Sequence, residues 1–207
     1  MAHASRGHFI VIEGADGTGT TTQVRSLCQR LVAEGHEVHA TAEPSGGEIG
    51  KLTRETLRAR TMDESAWRSL ALLFAADRLE HVAREIEPKL RAGVHVVSDR
   101  YTLSSLVYQG LHVPEPWVRE LNRFAPPPDH LLVLTLDVDE ALRRVAQRRG
   151  QAEVYDDEEV QRRVHAGYAK FSSEYGAVAI DAAPGPAQVT DNLWMALQGR
   201  GFPRPPV

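Results

Sequence analysis

The sequence predicts an α/β protein, one domain built on a doubly wound parallel sheet with helices on both faces. Two patterns predict it. Five short apolar runs, several nearly continuous in Val, Ile and Leu, have the composition of strands covered on both faces. Between them lie longer stretches with helical apolar spacing, so strand and helix alternate along the chain. A length of 207 residues suffices for one substantial core. No internal repeat or linker divides residues 1–207.

The elements follow in order. HFIVIEG (8–14) is the first strand. The helix after it runs from Thr20 to about Glu34 and stops at Gly35. HEVHATAEP (36–44) is the second strand. A long helix is expected from Asp63 to about Arg91, with Trp67, Leu70, Phe74, Val82 and Ile86 on its apolar face. Thr61 followed by Glu64 offers it a capping box. VHVVSDR (94–100), HLLVLTLDV (130–138) and AVAIDA (177–182) are the third, fourth and fifth strands. Helices from Asp139 to Arg149, from Asp156 to Ser173 and from about Pro186 to Leu197 complete the pattern. Residues 1–7 and the tail RGFPRPPV (200–207) are expected to be flexible.

Composition removes several function classes. Hydrophobic residues at 42% and charged ones at 25% are ordinary for a globular domain. No apolar run reaches the roughly 20 residues of a membrane helix, and MAHASRGH lacks the apolar segment of a secretory signal. The single cysteine, Cys28, excludes an internal disulfide framework and fits a reducing cytosol, so a cytoplasmic location is expected. A net charge of -4 argues against nucleic-acid binding driven by bulk electrostatics. Nine histidines are present, but no His/Cys cluster has structural-zinc spacing. His36 and His39 fall on a strand, where they face opposite sides. The acidic run DDEE (156–159) reads as a helix start.

The stretch EGADGTGTTTQ, Glu13 to Gln23, has the form of a phosphate-binding loop. Gly14, Gly17 and Gly19 let successive backbone N–H groups turn inward without Cβ clashes. The loop lies between a strand and a helix whose N-terminus adds free N–H groups and a favourable dipole. Thr21 stands where a hydroxyl would hold magnesium, and Thr20 where such loops carry lysine. By itself the stretch reads also as a glycine-rich turn; its place at the strand–helix junction favours phosphate.

Two further groupings are independent of the loop. VVSDRYTLSSLVYQG delivers Asp99 and Arg100 at the C-terminal end of a buried strand, where ligands bind in open α/β sheets. Ser104 with Tyr108 and Ser105 with Gln109 form i,i+4 pairs that suit a base and sugar. Alone, Asp99 and Arg100 read equally as a structural ion pair. In LLFAADRLEHV, Phe74 and Arg78 share a helical face, an aromatic and a planar cation fit for a nucleobase. Taken alone, Phe74 reads as core and Arg78 as a solvated surface charge.

Together LLFAADR, SDRYTLSSLVYQG, PPDHLLVLTLDV and RVHAGY, with the loop, resemble the thymidylate kinase family over nearly the whole chain. The resemblance implies a P-loop kinase fold with a five-stranded parallel sheet, a homodimer, and magnesium-dependent transfer of the ATP γ-phosphoryl group to dTMP. Carried over, Gly14, Ala15, Asp16, Gly17, Thr18, Gly19, Thr20, Thr21 and Thr22 would cradle the ATP phosphates, with Thr21 on Mg2+ and Asp16 facing the phosphate acceptor and the metal. Phe74 would stack on thymine and Arg78 would reach its edge. Arg100 would hold the dTMP phosphate, and Asp99 would orient the metal shell. Ser104, Ser105 and Gln109 would line the base and sugar site, Tyr108 would occupy the place of a ribose 2′-hydroxyl, and Tyr168 would approach from the far side. Gly17 matches the branch whose catalytic arginines come from a lid; the lid candidate is about 147–157, with Arg148 and Arg149.

Three departures from the family pattern each remove a cation near the phosphates: Thr20 for the loop lysine, Ala42 before Glu-Pro, and Val154 in the lid. Phosphoryl transfer depends on positioning and charge stabilisation, so three readings stand. One is an active kinase in which Arg148, Arg149 or Lys51 substitutes for the lysine. Another is a weak or inactive binder of thymidine nucleotides. The third is a related deoxynucleoside or deoxynucleotide kinase.

Overall fold

The computed structural model describes residues 6–58, 63–147 and 158–203. Five parallel strands form one sheet: β1 (Phe9–Gly14), β2 (Val38–Ala42), β3 (His95–Asp99), β4 (His130–Thr135) and β5 (Val178–Asp181). Their spatial order is β2-β3-β1-β4-β5. The helices are α1 (Thr20–Ala33), α2 (Glu48–Leu57), α3 (Glu64–His81), α4 (Glu87–Arg91), α5 (Thr102–Tyr108), α6 (Glu115–Leu121), α7 (Val138–Gln147), α8 (Glu158–Glu174) and α9 (Pro186–Gly199). The expected fold class, strands and main helices are therefore present.

Side chains alternate along a strand, so β1 feeds two cores. Ile10 and Ile12 pack with Leu27 and Leu31 of α1 and with Leu193 and Leu197 of α9. Phe9 and Val11 face the other way, with Ile86, Leu90 and Tyr101. A third apolar group joins α5 and α8 through Leu106, Val107, Val164 and Phe171. After β1 the chain moves to one side of the sheet; after β3 it crosses to the other. The C-terminal ends of β1 and β3 thus flank a topological switch point, the place where open sheets form a ligand crevice.

The long helix expected over 63–91 is interrupted. Between α3 and α4 lies a widened π turn, Val82–Ile86, in which the Glu87 N–H donates to the Val82 carbonyl five residues back. Pro88 is the second residue of α4; it lacks an N–H and its ring would crowd the carbonyl four residues earlier in a regular helix. Thr61, half of the expected capping box, lies outside the described residues. Asp63 is the cap: its carboxylate accepts from the Ala66 N–H at 2.7 Å. Residues 156 and 157 of the acidic run and 148–149 of the helix expected after β4 also lie outside.

Of the tails expected to be flexible, 1–7 and 200–207, only residues 6, 7 and 200–203 are described, and contacts tie these to the body. The Gly7 N–H donates to the Leu90 carbonyl at 2.8 Å. Phe202 is 4% exposed. It sits against four imidazoles, His8, His36, His95 and His130, with ring centroids 4.7–5.8 Å away. His95 and His130 open their strands and His8 directly precedes β1; His36 precedes β2 instead of lying within it. The rings therefore gather at the end of the sheet remote from the phosphate loop. Burial and mutual repulsion push His95 down to about 4, and burial lowers His36 and His130. Among the described residues no cluster of three or more His, Cys, Asp or Glu side chains is placed to hold a metal ion, and no helix is long and apolar enough to cross a membrane.

Candidate active site

The loop after β1 is shaped by two glycines in the left-handed region, Gly17 (φ 86°) and Gly19 (φ 91°). A Cβ at Gly17 would stand 2.4 Å from the Ala141 carbonyl oxygen, so α7 closes against the loop there. Gly19 is also the N-cap of α1, which has neither a side-chain cap nor an acidic residue in its first turn. The first-turn N–H groups are thus left for an anion. Inside the loop, Thr18 turns back on the Ala15 carbonyl through both its N–H (3.2 Å) and its hydroxyl (2.7 Å).

Strand β3 presents the complementary groups. Ile12 and Ala42 both pair in register with Asp99, which puts Asp99 beside the loop at the crevice. The Thr21 hydroxyl donates to Asp99 Oδ2 at 2.5 Å. Asp99 Oδ1 is buried without a partner among the described residues. A hydroxyl beside a carboxylate with a free buried oxygen fits a hard cation with its water shell.

Arg100 and Asp99 do not pair with each other, contrary to the simple ion-pair reading. Arg100 turns to the loop instead: Nη2 donates to Asp16 Oδ1 at 2.6 Å, and Nη1 donates to Tyr168 Oη (3.2 Å) and Ser104 Oγ (3.3 Å). Tyr108 Oη donates to Asp16 Oδ2 at 3.1 Å, and the Arg100 guanidinium lies 5.1 Å from the Tyr108 ring centroid. Asp16, Arg100, Ser104, Tyr108 and Tyr168 are therefore one network. Burial opposes the Arg100 charge, but the surrounding Tyr108, Tyr168, Asp16 and Asp99 push its pKa up. Burial pushes the phenols of Tyr108 and Tyr168 up, so both stay protonated donors.

The remaining residues named from the sequence form a second layer. Arg78 is 1% exposed, not a solvated surface charge. Its N–H groups go to Glu43 Oε2 (2.8 Å), Ser105 Oγ (3.1 Å), the Tyr101 carbonyl (2.9 Å) and Asn122 Oδ1. Those contacts use all five donors of a guanidinium, so a bond to a base edge requires one to be given up. Its neighbour Asp77 accepts from the Ser45 N–H (2.7 Å) and hydroxyl (2.5 Å). The motif LLFAADR thereby clamps the segment after β2. Phe74 is half-buried and belongs to none of the apolar cores. Gln109 is buried with Oε1 unpartnered among the described residues, an acceptor awaiting a donor.

The departures can be placed in part. Thr20 is buried, Ala42 is exposed at the end of β2, and Lys51 pairs with Glu48 at 2.6 Å on the surface of α2. Arg148, Arg149 and Val154 lie outside the described residues, as does all of the expected lid except Gln147.

Sequence reasoning missed Glu13 and Gln161. Glu13 is fully buried and accepts from the Tyr101 N–H (2.8 Å), the Ser104 N–H (3.0 Å), Ser104 Oγ (2.6 Å) and Tyr168 Oη (3.0 Å). A carboxylate in the otherwise apolar run FIVIEG was the available signal. Gln161 of α8 donates to Asp16 Oδ2 at 3.2 Å; nothing in its helical pattern marks it.

Comparison with known proteins gives the family. The family described as Thymidylate kinase matches residues 12–193. A Pyrococcus horikoshii protein named "Probable thymidylate kinase" is 41% identical over 181 residues, covering 84% of this chain and 87% of its own. Proteins of the same name from Methanococcus maripaludis (41% over 199 residues; 91% and 94% covered) and Thermococcus kodakarensis (38% over 198 residues; 91% and 96%) are similar. The chain belongs to the thymidylate kinase family.

Proposed function

We propose that the protein transfers the γ-phosphoryl group of Mg-ATP to dTMP, giving dTDP and ADP, as a cytoplasmic homodimer. The observation that carries this reading is the Asp16–Arg100 contact, which joins the phosphate loop to the end of β3 and supports a meeting point of donor and acceptor there. The glycine-shaped loop from Gly14 to Thr22, with the uncapped α1 terminus, suits the donor phosphates. Thr21 and Asp99 would hold magnesium, which when bound neutralises charge on the donor phosphates.

On the acceptor side, Arg100 binds the monophosphate and Asp16 orients the sugar beside it. Tyr168 and Ser104 support the guanidinium from below. Tyr108, buried against Asp16, fills the space a ribose 2′-hydroxyl would need. Phe74 offers a face for thymine, and Gln109 Oε1 can accept from an N–H of the base. Ser105 lies beneath them, tied to Arg78, which first holds the pocket floor and reaches the base only by exchanging a contact. With Thr20 at the lysine position, the remaining donor-side charge is assigned to Arg148 and Arg149.

Support for the homodimer comes from α3 and the turn after it. Leu72, Ala76, Leu79 and Ala83 are exposed at a four-three-four spacing, a continuous apolar stripe with Leu52 of the adjacent α2 also exposed.

The test is dTDP formation from dTMP and Mg-ATP, with a dTMP-binding titration on the same sample and on Thr20→Lys. Turnover of about 1–100 per second is expected of the wild type. Binding of dTMP without dTDP formation by the wild type would overturn the proposal. A gain of rate in Thr20→Lys would then place the defect in the loop.

A further inference from the structure

Glu13 stands where burial should disfavour a charge. It is the third inward residue of β1, after Phe9 and Val11, and none of it reaches solvent. A carboxylate there is tolerable only if donors surround it, and its four hydrogen bonds fall into two functional pairs.

The first pair belongs to the backbone of the turn that carries Arg100. Arg100 has φ 72°, the single positive value outside glycine among the described residues. That conformation is unfavourable for a residue with a side chain and persists only where the surroundings fix it. Its N–H donates to the Ile12 carbonyl (2.9 Å), and its own carbonyl accepts from Ser98 Oγ (2.8 Å). The next N–H, that of Tyr101, is held by Glu13, as is the Ser104 N–H in the first turn of α5. Tyr101, the N-cap residue, supplies no side-chain cap, so a carboxylate from β1 takes that role across the crevice.

The second pair belongs to the side-chain platform. Glu13 Oε2 accepts from Ser104 Oγ and Tyr168 Oη, and those same two oxygens accept from Arg100 Nη1. Backbone and platform therefore converge on one guanidinium. We propose that Glu13 is the positioning residue of the acceptor-phosphate grip: it touches no substrate, and it aims Arg100 by fixing both the left-handed turn and the hydroxyls beneath the guanidinium. The inference rests on Arg100 binding the acceptor phosphate, as argued above.

The test is steady-state kinetics of Glu13→Gln, an isosteric change that keeps an acceptor for the two N–H groups and removes the charge. KM for dTMP is expected to rise about tenfold, as when charged hydrogen bonds become neutral ones. KM for Mg-ATP should stay within about twofold, since the donor loop makes no hydrogen bond to Glu13. Equal KM values for dTMP in wild type and variant, with only Tm lowered, would overturn the proposal. Where Glu13→Gln does not fold, Glu13→Asp is measured the same way; its shorter stem cannot span both pairs, so the dTMP-selective rise is again expected. Loss of folding in both variants would make Glu13 a folding group and overturn the proposal. If the wild type itself shows no dTMP saturation, the function assigned above fails independently of Glu13.

Discussion

Replacing Arg78 with methionine isolates the buried ion pair beneath the pocket. Methionine retains much of the apolar stem and removes the guanidinium. Glu43, 6% exposed, then loses both Nε and Nη2 and keeps only the His81 Nδ1 contact at 3.2 Å. Removing one partner of a buried pair costs about 3–5 kcal/mol, because the other charge stays out of water. Unfolding entropy near Tm is about 0.4 kcal/mol/K for a 207-residue chain, so Tm should fall by about 7–12 °C. The assay is ligand-free thermal unfolding near pH 7.5, with Arg91→Met as control. Arg91 pairs with Glu87 on the surface at 2.9 Å, and its loss should move Tm by about 2 °C or less. A fall of under about 3 °C for Arg78→Met would refute the reasoning, since Glu43 would then not depend on that partner.

Four other outcomes are expected. The unfolded chain takes up protons near pH 6.5 that buried His95 (about 4), His36 and His130 refuse, so stability is lost as pH falls from about 6.5 towards about 4. Urea midpoints at pH 7.5 and 5 for wild type and His95→Gln test this; identical pH dependence in the two would contradict it. Asp99→Asn should raise the magnesium concentration needed for half-maximal activity about 10–100-fold, read by titrating activity with the metal. Gly17→Ala combines a positive φ with a Cβ 2.4 Å from the Ala141 carbonyl, so a loss of about 1–3 kcal/mol in stability and weaker ATP binding are expected from melting and titration. Leu72→Glu with Leu79→Glu should convert a dimer to a monomer in sedimentation velocity; an unchanged mass would remove the α3 stripe from the interface.

Much of the fold was legible because strand burial writes itself into composition: FIVIE and HLLVL are buried along nearly their whole length. Helix α2 was not, and the reason is specific. Its buried residues are Gly50 and Thr53, and its Leu52 faces out, so apolar periodicity carries no trace of which face packs. The loop and the SDRY segment were readable as local strings. Their cross-connections were not. That Arg100 would choose Asp16 over its sequence neighbour Asp99 follows from a left-handed turn that no residue type at 100 announces. The gathering of four histidines likewise needs the strand order, because positions 8, 36, 95 and 130 are related only through the sheet.

Phe202 has a consequence for how the chain can be cut and joined. Its ring lies 5.4 Å from that of His8, so the first strand begins where the last described residues finish. The described part of the chain, residues 6–203, is close to a circle. A short linker could close it, and new ends could be opened at an exposed turn such as that around Gly176 with the sheet order kept. The outermost described residues, Arg6 and Pro203, also lie on the side of the sheet on which the strands begin, about 17–20 Å of strand away from Gly14 and Asp99. A group attached at either of these residues would therefore stand away from the mouth of the crevice.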